Sequence, residues 1–245
     1  MPHTTLHFIR LPFGTFAFMY ACRKGYSDVV VTLLLDPNIN LNVKENNGHT
    51  ALMIACNQSF GFNVVKLILD SDRNIDMNAK NNEGFTALMI ACNNGHDRVV
   101  NLLLDYHSER NIDLNAKSHN GRTAFMLACI KGHKNVVKSL MDHSAKLNID
   151  LNAKNNFGTT AFMFTCMHGH SNIVQLILEH SDINIDLNAK EKSGFTGFMF
   201  ACMSGHKKVI KLLFNTERNI DLNAKSNVGK TAFTEYNVES LLLEE

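Results

Sequence analysis

The sequence of 245 residues predicts an all-α repeat solenoid of about seven stacked helix–loop–helix units with extended hairpin arms. Three observations predict it. Gly14, Gly48, Gly84, Gly121, Gly158, Gly194 and Gly229 each precede an Ala-Phe-Met, Ala-Leu-Met or closely related string, at spacings of 34, 36, 37, 37, 36 and 35 residues. A cysteine stands eight residues after each of the first six glycines, at Cys22, Cys56, Cys92, Cys129, Cys166 and Cys202, which accounts for all six cysteines. Each unit also repeats one internal order of turn, helix, loop, helix and arm.

The third unit shows why each element forms. Asn81-Asn82-Glu83-Gly84 is a turn, because Asn and Gly accept left-handed backbone angles at little cost. Thr86 is an N-cap, and Ala87 to Cys92 form a short, largely apolar helix. Gly95 ends that helix by taking positive φ. Val99-Val100 and Leu102-Leu103-Leu104 then place apolar residues at helical spacing for a second helix. Ile112-Asp113-Leu114-Asn115-Ala116-Lys117 alternates apolar and polar residues, as an extended arm does. One unit cannot bury both helices, so neighbours must stack. The units run over residues 11–44, 45–80, 81–117, 118–154, 155–190 and 191–225, with 226–245 as a C-terminal cap.

The unit resembles the ankyrin repeat over nearly the whole chain. The family's Asp-x-x-Gly-x-Thr-Pro-Leu-His, Gly-His, Val-Val, Leu-Leu and Val-Asn-Ala pattern stands here as Asn81-x-x-Gly84-x-Thr86-Ala87-Leu88-Met89, Gly95-His96, Val99-Val100, Leu102-Leu103 and Leu114-Asn115-Ala116. The departures are systematic: Ala replaces the family's Pro, and Met19, Met53, Met89, Met126, Met163 and Met199 replace its His. That His ties neighbouring repeats by hydrogen bonds, so soft apolar packing is expected instead. The units also exceed the family's usual length of about 33 residues. The surplus lies between the second helix and the arm, as at Tyr106-His107-Ser108-Glu109-Arg110.

The ends depart from the pattern. Arg10 and the apolar run from Leu11 to Ala21 have the look of a signal peptide, but Ala17-Phe18-Met19-Tyr20-Ala21-Cys22 is one more copy of the string at Ala124 to Cys129. The repeat reading is therefore preferred. Phe16, Phe18 and Tyr20 leave the first unit without a polar face, which residues 1–13 cover or another molecule meets. The last unit has Asn237 in place of cysteine, and its Leu241-Leu242-Leu243 comes six residues early. Glu235, Glu239, Glu244 and Glu245 give it the charged face of a cap.

Charge and composition exclude several functions. Lys and Arg number 24 against 23 Asp and Glu, without the dense basic face that nucleic acid or an anionic membrane attracts. No stretch approaches the roughly 18 to 20 apolar residues of a membrane span. The six cysteines fall one per unit at the inward end of the first helix, too far apart to pair as disulfides, and no Cys-x-x-Cys occurs. His96, His133, His170 and His206 form a ladder that spreads ligands along the chain, and the family uses this His for packing and capping. Asp76, Asp113, Asp150, Asp186 and Asp221 form another ladder, read as a solvated face. Neither a phosphate-cradling Gly loop nor a nucleophile beside a base is evident. No enzyme activity, cofactor or metal is expected. A metal-dependent enzyme built on the Cys and His ladders is the competing reading from another class.

Function then lies in the positions that vary between units. The resemblance implies a protein partner bound by the hairpin tips and the concave face of the first helices. The candidate residues are Phe85, Arg122, Phe157, Phe195 and His119 at the tips, with Ile130, Lys131, Met167, His168 and Met203 after the cysteines. The phenylalanines are expected to be exposed, with Ile130, Met167 and Met203 beside them, as apolar hot spots rimmed by polar residues. A scaffold capturing one partner is the leading expectation, with a recruiting adaptor, as for a ubiquitin ligase, as the alternative. A monomer is expected, with the first unit as the surface for any self-association. Reduced thiols imply an intracellular setting, cytoplasmic or nuclear. The abundance of such repeats in large DNA viruses of protists and in intracellular bacteria extends the expectation to a host-directed effector in the host cytoplasm.

Overall fold

A computed structural model describes residues 13–236, so the expectations for residues 1–12 and for Asn237, Glu239, Leu241 to Leu243, Glu244 and Glu245 lie outside the described residues. Within them the chain forms 13 helices and no strand. Six first-and-second helix pairs follow one another: α1 (Phe13–Lys24) with α2 (Ser27–Leu34), α3 (Ala51–Cys56) with α4 (Phe62–Asp70), and α5 (Ala87–Asn94) with α6 (Asp97–Asp105). The later pairs are α7 (Ala124–Lys131) with α8 (Lys134–Leu147), α9 (Ala161–Met167) with α10 (Ser171–Glu179), and α11 (Gly197–Met203) with α12 (Lys207–Phe214). The short α13 (Ala232–Glu235) opens a seventh unit.

The first helices start where the sequence caps them. Thr50, Thr123, Thr160 and Thr196 have extended backbones, and each hydroxyl accepts a bond from the N–H of the methionine three residues on. Thr86 does the same for Met89 at 3.3 Å. Those methionines, Met53, Met89, Met126, Met163 and Met199, are at most 1% exposed. The expected soft packing is therefore in place. The first unit departs from this start. Phe16 stands where a capping threonine would, and α1 begins three residues earlier, so Gly14 lies inside a helix and is no turn glycine. On α1, Phe18 is buried while Phe16 and Tyr20 are exposed.

The chain divides into two compact bodies, one of residues 13–91 with 98–113 and one of 92–97 with 114–236. In the first body α1 packs on α3 and α2 on α4, while α1 also packs on α2 and α3 on α4. In the second body α7, α9 and α11 form one layer and α8, α10 and α12 another, with α13 added beside α11. The second body's core includes fully buried side chains such as Phe162 and Phe198. Each such ring contributes about 1.5–3 kcal/mol by leaving water.

The arms form turns, and their side chains bond backbone groups in the next unit. In the second body Asn115 Nδ2 donates to the Asn148 carbonyl, and Asn115 Oδ1 accepts from the Asp150 N–H, both at 2.8 Å. Asn152 clamps Asn184 and Asp186 in the same way, and Asn188 clamps Asn219 and Asp221. Asn42 and Asn78 do so in the first body. Asp76, Asp150, Asp186 and Asp221 accept from the N–H two residues on, so the aspartate ladder builds turns and is more than a solvated face.

Candidate partner-binding surface

Each hairpin tip is tied at its base. In the second body the N–H groups of Phe157 and Thr159 donate to Asn155 Oδ1, and those of Ser193 and Phe195 donate to Glu191 Oε1. Arg122 N–H donates to Ser118 Oγ. The glycine that completes a tip, such as Gly121 at φ +74, would place a Cβ 2.4 Å from Asn156 Oδ1 of the next tip. Only glycine fits there. Successive tips are joined by backbone bonds, Asn156 N–H to the Asn120 carbonyl and Lys192 N–H to the Phe157 carbonyl.

This anchoring decides which phenylalanines are exposed. Phe157 precedes its glycine, sits at the tip and is 66% exposed. Phe195 follows its glycine, with its N–H tied back to Glu191, and its ring lies 5.7 Å from Phe200 on α11. It is half-buried, as is Phe85 in the first body, whose N–H is tied to Asn81 Oδ1 at 2.8 Å. The expected exposure of all three rings is thus corrected for Phe85 and Phe195.

The residues after the cysteines divide similarly. Met203 is 47% exposed, and Lys131 and His168 are exposed, whereas Ile130 and Met167 are half-buried. His170 Nε2 lies 2.9 Å from the Ile130 carbonyl, and His206 Nε2 lies 2.9 Å from the Met167 carbonyl. His133 Nε2 reaches the Asn93 carbonyl at 3.0 Å in the same body. A carbonyl only accepts, so each Nε2 carries the proton. These histidines sit at the N-caps of α8, α10 and α12 without capping them through their side chains. Their work is to hold one unit to the previous one, by hydrogen bonds that the methionines cannot supply.

One aromatic and basic cluster does come together. The Arg122 guanidinium lies over the Phe164 ring at 5.6 Å, and its buried Nε has no hydrogen-bond partner. The His168 ring is 6.3 Å from Phe164 and stacks on His170, with centroids 5.9 Å apart and planes 7° apart. His168 Nδ1 is held by the Phe164 carbonyl at 2.9 Å. Of the sequence candidates, Arg122 and His168 are therefore brought to one surface through Phe164. His119 is exposed at the tip before Arg122, and its carbonyl accepts from Asn156 Nδ2 at 2.9 Å. Phe164 and His170 were missed because each occupies a position that reads as architectural in other units.

The cysteines are buried and free. Burial pushes the thiols of Cys22, Cys129 and Cys202 up to about 12 and raises those of Cys56 and Cys166 as well. Protonated, inaccessible thiols are packing groups. Among the described residues no three His, Cys, Asp or Glu side chains converge as metal ligands. No helix among them is long and apolar enough to cross a membrane.

A family model described as ankyrin repeats, in three copies, matches residues 3–81, 58–155 and 145–226. Comparison with curated protein sequences gives no match. Among solved structures, the ankyrin repeat domain of Bcl-3, a member of the IkappaB protein family, superposes with TM-score 0.76 at 21% identity, covering 92% of this chain and 96% of that one. The human ASB11 ankyrin repeat domain gives TM-score 0.73 at 21% identity with coverage of 92% and 96%. The ankyrin repeat protein EF0377 gives 0.71 at 24% identity with coverage of 83% and 98%. At these identities the likeness carries the fold alone.

Proposed function

Because this chain belongs to the ankyrin-repeat family, whose repeats are protein–protein interaction modules, we propose that it binds a protein partner through its hairpin tips and the adjoining ends of its first helices, without catalysis. The observation that carries this reading is how the two sets of positions are used. The recurring Asn and His side chains are occupied in joining one unit to the next. The varying positions offer Phe157 and Met203 exposed, and Arg122 with an unpartnered Nε over Phe164. Exposed apolar residues, an arginine over an aromatic ring, and polar groups such as His119, Lys131 and His168 are the residue types of interface anchors and their rims. In the second body Ile130, Met167 and Phe195 belong to the same set from half-buried positions. Six buried free thiols suit a reducing, intracellular compartment.

The test is capture from lysate of the cells that naturally produce the protein, with wild type and an Arg122→Glu/Phe157→Glu variant as parallel baits. A partner enriched by the wild type and lost by the folded variant supports the assignment, and its identity decides between effector and recruiting adaptor. The same partner on both baits would place binding elsewhere.

A further inference from the structure

A second surface, independent of the tips, lies on the helix-two side of the second body. Between α10 and α12 runs a surface groove of about 900 Å³, within the size range of ligand sites. Leu178 and Leu212 give it an apolar floor, and its charged lining is Lys207, Lys208, Lys211 and Arg218 against Glu179 and Glu217.

The excess of positive charge has a sequence origin. The second helices α4, α6, α8 and α10 carry a carboxylate four residues after one recurring position, as Lys66/Asp70, Asn101/Asp105, Lys138/Asp142 and Gln175/Glu179. In the second body this carboxylate is used: Lys138 Nζ lies 2.6 Å from Asp142 Oδ2, and Gln175 Nε2 donates to Glu179 Oε1 at 2.8 Å. On α12 the pair is Lys211/Asn215, so the carboxylate is gone and the lysine stays. Lys208 and Lys211 make no ion pair among the described residues. No acidic residue occupies the first turn of α12, so the positive end of the helix adds to the lysines. Arg218 is held in place by the carbonyls of Ile177 and His180 at 3.5 Å.

We infer that the α10–α12 groove docks a short acidic segment of a protein partner, with carboxylates on Lys208 and Lys211 and one apolar side chain over Leu178 and Leu212. Charge complementarity selects an acidic occupant. The groove lining holds no aromatic ring on which bases would stack, which favours a peptide over single-stranded nucleic acid.

Fluorescence anisotropy of the full-length protein with a short labelled Glu-rich peptide bearing a central Leu tests this. The peptide binds the wild type, and affinity falls by about tenfold or more in Lys208→Glu/Lys211→Glu. A Lys134→Glu/Lys138→Glu control on α8 retains wild-type affinity, and circular dichroism shows both variants folded. Equal binding by both variants overturns the proposal, as does equal binding of a peptide with Gln in place of Glu. Tighter binding of labelled single-stranded RNA replaces the peptide with nucleic acid as occupant. Peptide binding only after Glu239→Gln/Glu244→Gln/Glu245→Gln would give the groove to the chain's own acidic end and likewise overturn it.

Discussion

His170 shows what a single side chain does in this protein. Its Nε2 holds the Ile130 carbonyl 40 residues back, and its ring packs so close to Gly132 that a Cβ there would sit 2.7 Å from it. Removing the ring in His170→Ala leaves that carbonyl unpaired and opens a gap. A loss of about 1–2 kcal/mol is expected, read as a lower urea midpoint with unchanged slope. A purely solvated histidine would leave the midpoint alone. The buried thiols set a second expectation. Their folded values, raised to about 12 at Cys22, Cys129 and Cys202, lie above the ordinary thiol value of 9.0. A raised folded value means full stabilisation below the unfolded value and loss as pH climbs toward the folded one. Under reducing conditions, stability should therefore fall between pH 9 and 12, by about 1.4 kcal/mol per thiol for each unit. A Cys129→Ala chain should fall less steeply, and an identical slope would refute the assignment.

At the scale of the element, α11 begins with Gly197 where the other first helices after α1 begin with Ala. A Cβ there would meet the Phe162 ring at 2.8 Å and Cys166 Sγ at 3.2 Å, and Phe162 is only 2% exposed. The ring cannot swing away, so the clash outweighs the roughly 1 kcal/mol of helix propensity that Ala would bring. Gly197→Ala is expected to destabilise by about 1–3 kcal/mol, and adding Phe162→Leu to recover most of it. Thermal unfolding of the two variants decides, and a stabilised Gly197→Ala would contradict the packing. The helices themselves were legible because Thr caps, apolar runs and terminal glycines act locally. The arms were less so. Alternation in Ile112 to Lys117 reads as an extended arm, but the Asn115 side chain bonds the Asn148 carbonyl and the Asp150 N–H, and the Asp113 N–H donates to Asn78 Oδ1, partners more than 30 residues away. The surplus loop behaves alike: Arg110 bonds the carbonyls of Leu69 and Ser71 at the end of α4, a pairing visible only once the units are stacked.

For the whole molecule, one regular pattern yields both the fold and the surface. The recurring cysteines and methionines were read as packing groups and are buried, whereas the aspartate ladder, read as a solvated face, builds turns whose bonds were not visible. Positions that vary were read as a surface, and their exposure followed a detail of register: Phe157 before its glycine points out, while Phe195 after its glycine folds onto Phe200. The sequence offered no sign of the α10–α12 groove until Asn215 was compared with Asp142 and Glu179 in their places. The central claim is that recurring residues build and varying residues bind. The most direct measurement is the affinity of the captured partner for two folded variants, Arg122→Glu/Phe157→Glu and the arm variant Asn152→Ala. The account predicts a loss of about tenfold or more for the first and near wild-type affinity for the second. Full affinity in the first with a loss in the second would contradict it.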